Sequence, residues 1–393
     1  MSGQIPRPGD KVVLELQGLN SLILELKNTG YKTIGPVLTN NAIVYDDIGG
    51  LTDLPQGWTD EQDAGRYRLK KTGSKAYFDF VLGPQSWKKY LQAPVRRLWV
   101  ASRDSSGFQV EVGDNESQKL AFVGIRPCEL TAISILDRIL GNGEFKDPAY
   151  VAARRNLFTI AVNCGRAGAT CFCASIGSGP KATAGFDLAL TEVIDGDRHC
   201  FVTEAASNTG AELLKKIPCT KAGTFEIKTA NEISLKASGQ MGRFLDTAGL
   251  QEMLARNLES PVWEQEAARC LTCGNCTMVC PTCFCTTAED TTDLSGKHAE
   301  RWQRWDSCFT LDFSYIHGGS IRNSARARYR QMVNHKLGSW NDQFGMLGCV
   351  GCGRCITWCP AGIDITETVR EIREGQRTQL GTASLKESKY ANA

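Results

Sequence analysis

Cys270-Leu271-Thr272-Cys273-Gly274-Asn275-Cys276-Thr277-Met278-Val279-Cys280-Pro281 fits the spacing C-x2-C-x2-C-x3-C-P, and Cys349-Val350-Gly351-Cys352-Gly353-Arg354-Cys355-Ile356-Thr357-Trp358-Cys359-Pro360 fits it again. An iron–sulfur cubane needs four thiolates converging from different directions. A tight loop supplies three of them before the chain leaves, so the fourth cysteine points elsewhere. In two-cluster ferredoxins that fourth thiolate ligates the other cluster. The spacing therefore predicts one [4Fe-4S] centre on Cys270, Cys273, Cys276 and Cys359, and a second on Cys349, Cys352, Cys355 and Cys280. Gly274 and Gly353 occupy equivalent places, where the missing Cβ lets the backbone turn sharply beside a cluster.

Two other metal sites compete for such cysteines. Four-cysteine zinc sites usually use two separated C-x2-C knuckles rather than three cysteines at successive x2 spacing. A Rieske centre needs two histidine ligands, and none of His199, His298, His317 and His335 lies within or beside either run.

Working outward, residues 281–348 between the copies read as helical, with Arg322, Arg326 and Arg330 opposite the apolar stripe Tyr329, Met332, Val333 and Leu337. Such a basic face is either solvated or compensates cluster charge and docks an acidic partner. Ser260-Pro261 looks like a helix start, and Asp364 with Glu367 resembles a capping box. The expected unit at 246–375 is an α-helical ferredoxin domain with two [4Fe-4S] motifs, followed by a mobile tail at 376–393.

Residues 1–245 read as an α/β domain. Lys11–Leu16, Arg97–Val100, Leu120–Val123 and Asn156–Val162 are strand-like, whereas Leu19–Leu26 and Cys128–Leu140 carry apolar residues at helical spacing. Cys128 follows one of these strands through a turn at Gly124. Cys164 follows another, with Cys171 and Cys173 close behind. Ligands of α/β sheets commonly bind at the carboxyl ends of strands. Cys128, Cys164, Cys171 and Cys173 are thus either ligands of a third cluster or buried structural thiols. Cys283, Cys285 and Cys308 lie near the first motif, where they can shield a cluster, replace a ligand or form an additional site, and Cys200 and Cys219 look isolated; a structural role is the preferred expectation for all five.

The rest of the sequence narrows the function by exclusion. Seventeen cysteines, an odd count in tight groups along 393 residues, favour metal ligation over disulfides. A net charge of +2 gives no global case for nucleic acid. Apolar runs are far too short to cross a membrane, the N-terminus lacks the pattern of a secretory signal, and a cytoplasmic location is expected. There is no G-x-G-x-x-G, no Walker-type loop and no G-x-S-x-G elbow, so no nucleotide or flavin is expected in this chain.

Gly124-Ile125-Arg126-Pro127-Cys128-Glu129-Leu130, Asn163-Cys164, Thr170-Cys171-Phe172-Cys173 and Cys280-Pro281-Thr282-Cys283-Phe284-Cys285, together with both cluster motifs, resemble a known family. It comprises iron–sulfur beta subunits of cytosolic NAD(P)-linked [NiFe] sulfhydrogenases and the equivalent iron–sulfur subunits of anaerobic sulfite reductases. The resemblance runs over about residues 120–375. It implies a non-catalytic electron-transfer subunit between a flavin- and NAD(P)-binding, diaphorase-type partner and a catalytic partner, hydrogenase or sulfite reductase. The hydrogenase branch is the preferred expectation. A redox-sensing protein and an inert scaffold are the alternatives from other classes.

Overall fold

The computed structural model describes residues 6–81, 83–113 and 118–376; the tail expected at 376–393 lies outside them beyond residue 376. Leu120–Ile125 is buried at every position and Leu157–Val162 at all but the first. Continuous apolar strands of this kind belong inside a sheet covered on both faces. They lie near the centre of an eight-stranded mixed sheet. Its order is Thr220–Lys221, Lys11–Glu15, Arg198–Ala205, Leu188–Asp195, Leu157–Val162, Leu120–Ile125, Lys32–Thr39 and Ala42–Asp47. The four strands from Leu188–Asp195 to Lys32–Thr39 run parallel to one another, and the outer pairings are antiparallel.

The pleat sends Ala121 and Val123 to one face, where the helices Leu16–Asn28 and Asn208–Leu214 cover them. Phe122 and Ile125 pack on the other face with the helices Pro127–Leu136 and Pro148–Arg155. Pro148 sits at the first turn of its helix, and Asp147 caps it by accepting from the amides of Ala149 and Tyr150 at 3.0 and 3.2 Å. Gly124, at φ +89°, makes the irregular step before the helix that carries Cys128.

The second half departs from the expectation of helices alone. Thr286–Thr292 and His298–Trp305 form a hairpin between the two cysteine motifs, and its second strand pairs with Val95–Asp104. With Gly107–Val112 they make a four-stranded antiparallel sheet drawn from both sides of residue 245. The remainder is helical. Leu250–Arg256, Val262–Arg269, Ala325–Asn334 and residues 365–376 enclose Trp263, Tyr329, Met332, Val333, Val369 and Ile372.

The halves meet in a shared core of Cys128, Ala132, Cys171, Cys173, Trp340, Val350 and Cys352. An ion pair locks this junction: Arg354 meets Glu129 at 2.6 Å with both side chains 1% exposed. Arg354 also donates to the carbonyls of Gly83 and Gln85, and Tyr45 donates to Glu129 at 2.7 Å. Residues 242–243 run back along the cysteine loop, where the Arg243 amide donates to the Cys171 carbonyl.

Candidate metal centres

The two motif copies follow the same backbone path. Thr272 and Gly351 have φ of +50° and +60°, Gly274 and Gly353 of +71° and +75°. A one-turn helix follows each, Asn275–Met278 and Arg354–Thr357. At these four places the left-handed backbone lets the loop fold back on its own first cysteine. The Thr272 amide donates to Cys270 Sγ and the Gly351 amide to Cys349 Sγ, both at 3.4 Å. The Ile363 amide donates to Cys359 Sγ at 3.3 Å.

Cys270, Cys273, Cys276 and Cys359 line one cavity, walled by Phe309, Tyr329, Met332 and Ile365 and bordered by Cys355. The second set is gathered more deeply. Burial raises Cys355 well above the ordinary thiol range, with the nearby Cys349, Cys352 and Cys280 sulfurs adding to it. Cys349 is pushed up to about 12 by burial, against the Gly351 amide and the Lys336 ammonium. Cys280 moves the other way: a hydrogen bond from the Cys283 thiol, then Lys336, hold it low.

Cys128, Cys171 and Cys173 are buried, and Cys164 is partly so. Burial raises Cys128 well above the thiol range, followed by the Cys173 and Cys352 sulfurs. Burial pushes Cys171 up to about 12, against the Gly168 amide, with Cys164 and Cys352 adding to the rise. Arg126, 2% exposed and anchored on the carbonyls of Phe78 and Phe80, donates to Cys164. The structure thus brings all four of these cysteines into one neighbourhood, beside Cys352 of the second set. Cys200 sits in the strand Arg198–Ala205 and packs against Val13, Val202 and Ala222, while Cys219 packs against the main sheet core. Both are away from these groups.

Thiols this strongly protonated, buried together, would repel one another as free thiolates. A metal core that takes the place of the protons removes that penalty. Among the described residues no group of three His, Cys, Asp or Glu side chains is arranged to hold a single metal ion. Arg354 Nη1 is buried without a hydrogen-bond partner among the described residues, and the Cys352 sulfur is one of its nearest charges. This orphaned donor suits a neighbour rich in sulfur acceptors.

Sequence reasoning misses the charged residues that surround these thiols. Arg126 and Glu129 lie in a stretch that carries the family resemblance and Arg354 lies inside a motif, so their positions hold a signal. Lys88 holds none. Lys336 belongs to a helix whose charges look solvated, yet it is 4% exposed. Arg326 and Arg330 of that helix pair with Glu259.

Cysteines brought together from two loops, and set at the junction of an α/β sheet with a helical unit, define an iron–sulfur protein. Residues 269–363 match the family described as 4Fe-4S dicluster domain. The chain is 31% identical over 354 residues to the sulfhydrogenase 2 subunit beta of Pyrococcus furiosus, which covers 89% of this chain and 94% of that relative. It belongs to the family of sulfhydrogenase beta subunits. No solved structure matches it, and among the described residues no helix is long and apolar enough to cross a membrane.

Proposed function

We propose that this chain is the electron-relay subunit of a cytoplasmic hydrogenase complex. It connects a flavin- and NAD(P)-binding partner to a catalytic nickel–iron partner. The observation that carries this reading is the unbroken succession of thiol groups. It runs from the cavity beside exposed Cys273, through the set around Lys336, to the crevice at the carboxyl ends of Leu120–Ile125 and Leu157–Val162. The relative's name favours the hydrogenase branch over sulfite reductase.

Cys270, Cys273, Cys276 and Cys359 would hold the first [4Fe-4S] cluster, and Cys349, Cys352, Cys355 and Cys280 the second. Cys128, Cys164, Cys171 and Cys173 would hold a third. Bound clusters supply one-electron transfer. The polypeptide's part is to space them, exclude water and set their potentials through burial and hydrogen bonds to sulfur. The amides of Thr272, Gly351 and Ile363 donate such bonds. Lys336 and Arg126 place positive charge beside the second and third thiol sets. Each stabilises the more negative, reduced state of its neighbour.

The test is anaerobic production of the full chain, with iron and sulfide counted per polypeptide, followed by electron transfer through the assembled complex. Cys276→Ser and Cys171→Ser should each remove about four irons, one cubane's worth. Each should also interrupt electron flow from NAD(P)H to the catalytic subunit. Unimpaired flow in Cys276→Ser would leave only a scaffold role.

A further inference from the structure

Three cysteines beside the first motif remain outside these assignments, and the hairpin between the motifs brings them together. Its last ladder pair is Thr286 with Trp305, and the Asp306 amide extends the ladder by donating to the Cys285 carbonyl at 2.9 Å. Directly opposed residues of antiparallel strands share a face, so Cys285 and Asp306 stand side by side. Cys283 and Cys308 lie two residues outward on each foot, beyond the strands, and the Lys336 ammonium is among the nearest charges to all three cysteines. Cys285 is among the nearest charges to Cys308.

Two buried lysines face this group. Lys88 and Lys336 are each 4% exposed. Lys88 Nζ donates to the Cys283 carbonyl at 2.8 Å and stands 3.8 Å over the Trp305 ring. Lys336 Nζ donates to Thr282 Oγ1 at 3.1 Å and to the Gly348 carbonyl at 3.4 Å. Among the described residues neither forms an ion pair with a carboxylate. A buried ammonium with only neutral acceptors is costly unless an anion lies close by. The second thiol set provides one for Lys336 through Cys280 and Cys349. Lys88 stands nearest Cys283, then Cys280 of the second set, with Cys285 also close by. One anion flanked by both lysines answers both.

We infer that Cys283, Cys285 and Cys308 hold a further iron–sulfur cluster, with three protein thiolates and the fourth iron position left to a non-thiolate ligand. The three thiol protons leave as the core binds, and Lys88 and Lys336 balance the resulting charge. The Asp306 carboxylate lies on the same side. No unassigned cysteine is left to complete the set: Cys280, which accepts from the Cys283 thiol, belongs to the second set, and Cys200 and Cys219 pack elsewhere in the α/β half. The inference stands apart from the relay reading: it needs no partner and no third centre.

The test uses the full chain made anaerobically, wild type against the double variant C285S/C308S. Iron and sulfide are counted, and electron paramagnetic resonance is recorded after mild oxidation. The wild type is expected to hold one cubane more than the variant. It should also give a [3Fe-4S] resonance as the non-thiolate iron is lost, and that signal should vanish in the variant while the reduced ferredoxin-type signals persist. Equal iron in both proteins overturns the inference and leaves the ferredoxin centres standing; a wild type free of sulfide overturns the relay reading as well. Should the double variant not fold, the wild type decides, since no [3Fe-4S] signal on oxidation removes the three-thiolate site.

Discussion

In the first motif copy Leu271 is 67% exposed and Cys273 is open to solvent; at the equivalent places of the second, Val350 is 2% and Cys352 9% exposed. Identical spacing and closely matched dihedral angles thus produce one outward and one inward loop. What differs is the residue chosen at each shared position, and the second copy is fitted to the α/β half. Asn275 of the first copy hydrogen-bonds the Trp358 carbonyl. Its counterpart Arg354 reaches across the junction to Glu129. The repeat sets the cluster pocket, and the side chains between the cysteines decide what each pocket faces.

Giving the second copy the first copy's residue tests this division most severely. Arg354→Asn leaves Glu129 buried without its cation, a loss expected to cost about 3–5 kcal/mol. The reverse exchange, Asn275→Arg, removes one hydrogen bond at a half-buried site and should cost about 1 kcal/mol. Anaerobic denaturation followed by the visible absorbance of the clusters measures both. Similar losses in the two variants would break the comparison.

Gly351 and Thr272 test the next level. A Cβ on Gly351 would stand 2.7 Å from the backbone N and Cα of Cys173, at a φ of +60°. Gly351→Ala should therefore destabilise by roughly 2–4 kcal/mol, part backbone strain and part overpacking. Thr272 holds a β-branched side chain at φ +50°. Thr272→Gly should accordingly stabilise by about 1 kcal/mol. A destabilising Thr272→Gly would mean that the threonine side chain itself supports the first loop.

Much of this contrast is already visible in the chain. The cysteine spacing, the paired glycines, and the apolar strands Leu120–Ile125 and Leu157–Val162 each carry a local signal: a turn that only certain backbones make, or a run that must be buried. The hairpin is not legible. Thr286–Thr292 reads Thr-Thr-Ala-Glu-Asp-Thr-Thr, and His298–Trp305 is dominated by charged and aromatic residues. Neither has an aliphatic alternation to mark it. Their pairing depends on Val95–Asp104, almost two hundred residues away in sequence. Lys336 escapes for a similar reason. Helical periodicity groups it with the half-buried arginines of the polar face, but the π-helical turn His335–Ser339 after Ala325–Asn334 carries it into the interior.

Exposure also orders the chemical fragility of the two loops. Small oxidants and chelators meet the first cavity at Cys273, whereas the second set lies behind Val350 and Trp340. During slow anaerobic titration with a chelator, the cluster assigned to Cys270, Cys273, Cys276 and Cys359 should be lost several-fold faster than the inner one. Paramagnetic resonance separates the two signals, with Cys276→Ser identifying the outer one. Loss of both at one rate would show that opening of the whole unit, rather than access at Cys273, limits removal.

The smallest effect on stability carries the sharpest functional contrast. Leu271 is an exposed apolar residue between two ligands of the outer loop, where a folded protein gains nothing from it in isolation. Leu271→Glu should change stability by no more than about 0.5 kcal/mol, since the side chain already stands in water. If the outer loop is where electrons enter or leave, a partner must cover Leu271 to come close to Cys273. A charge buried there, beside an anionic cluster, would oppose docking. Electron exchange with the partner should slow at least several-fold while iron content and cluster spectra stay unchanged. Unaltered exchange in Leu271→Glu would move the port to the inner end of the relay, beside Cys164, and reverse the roles that exposure assigns to the two copies.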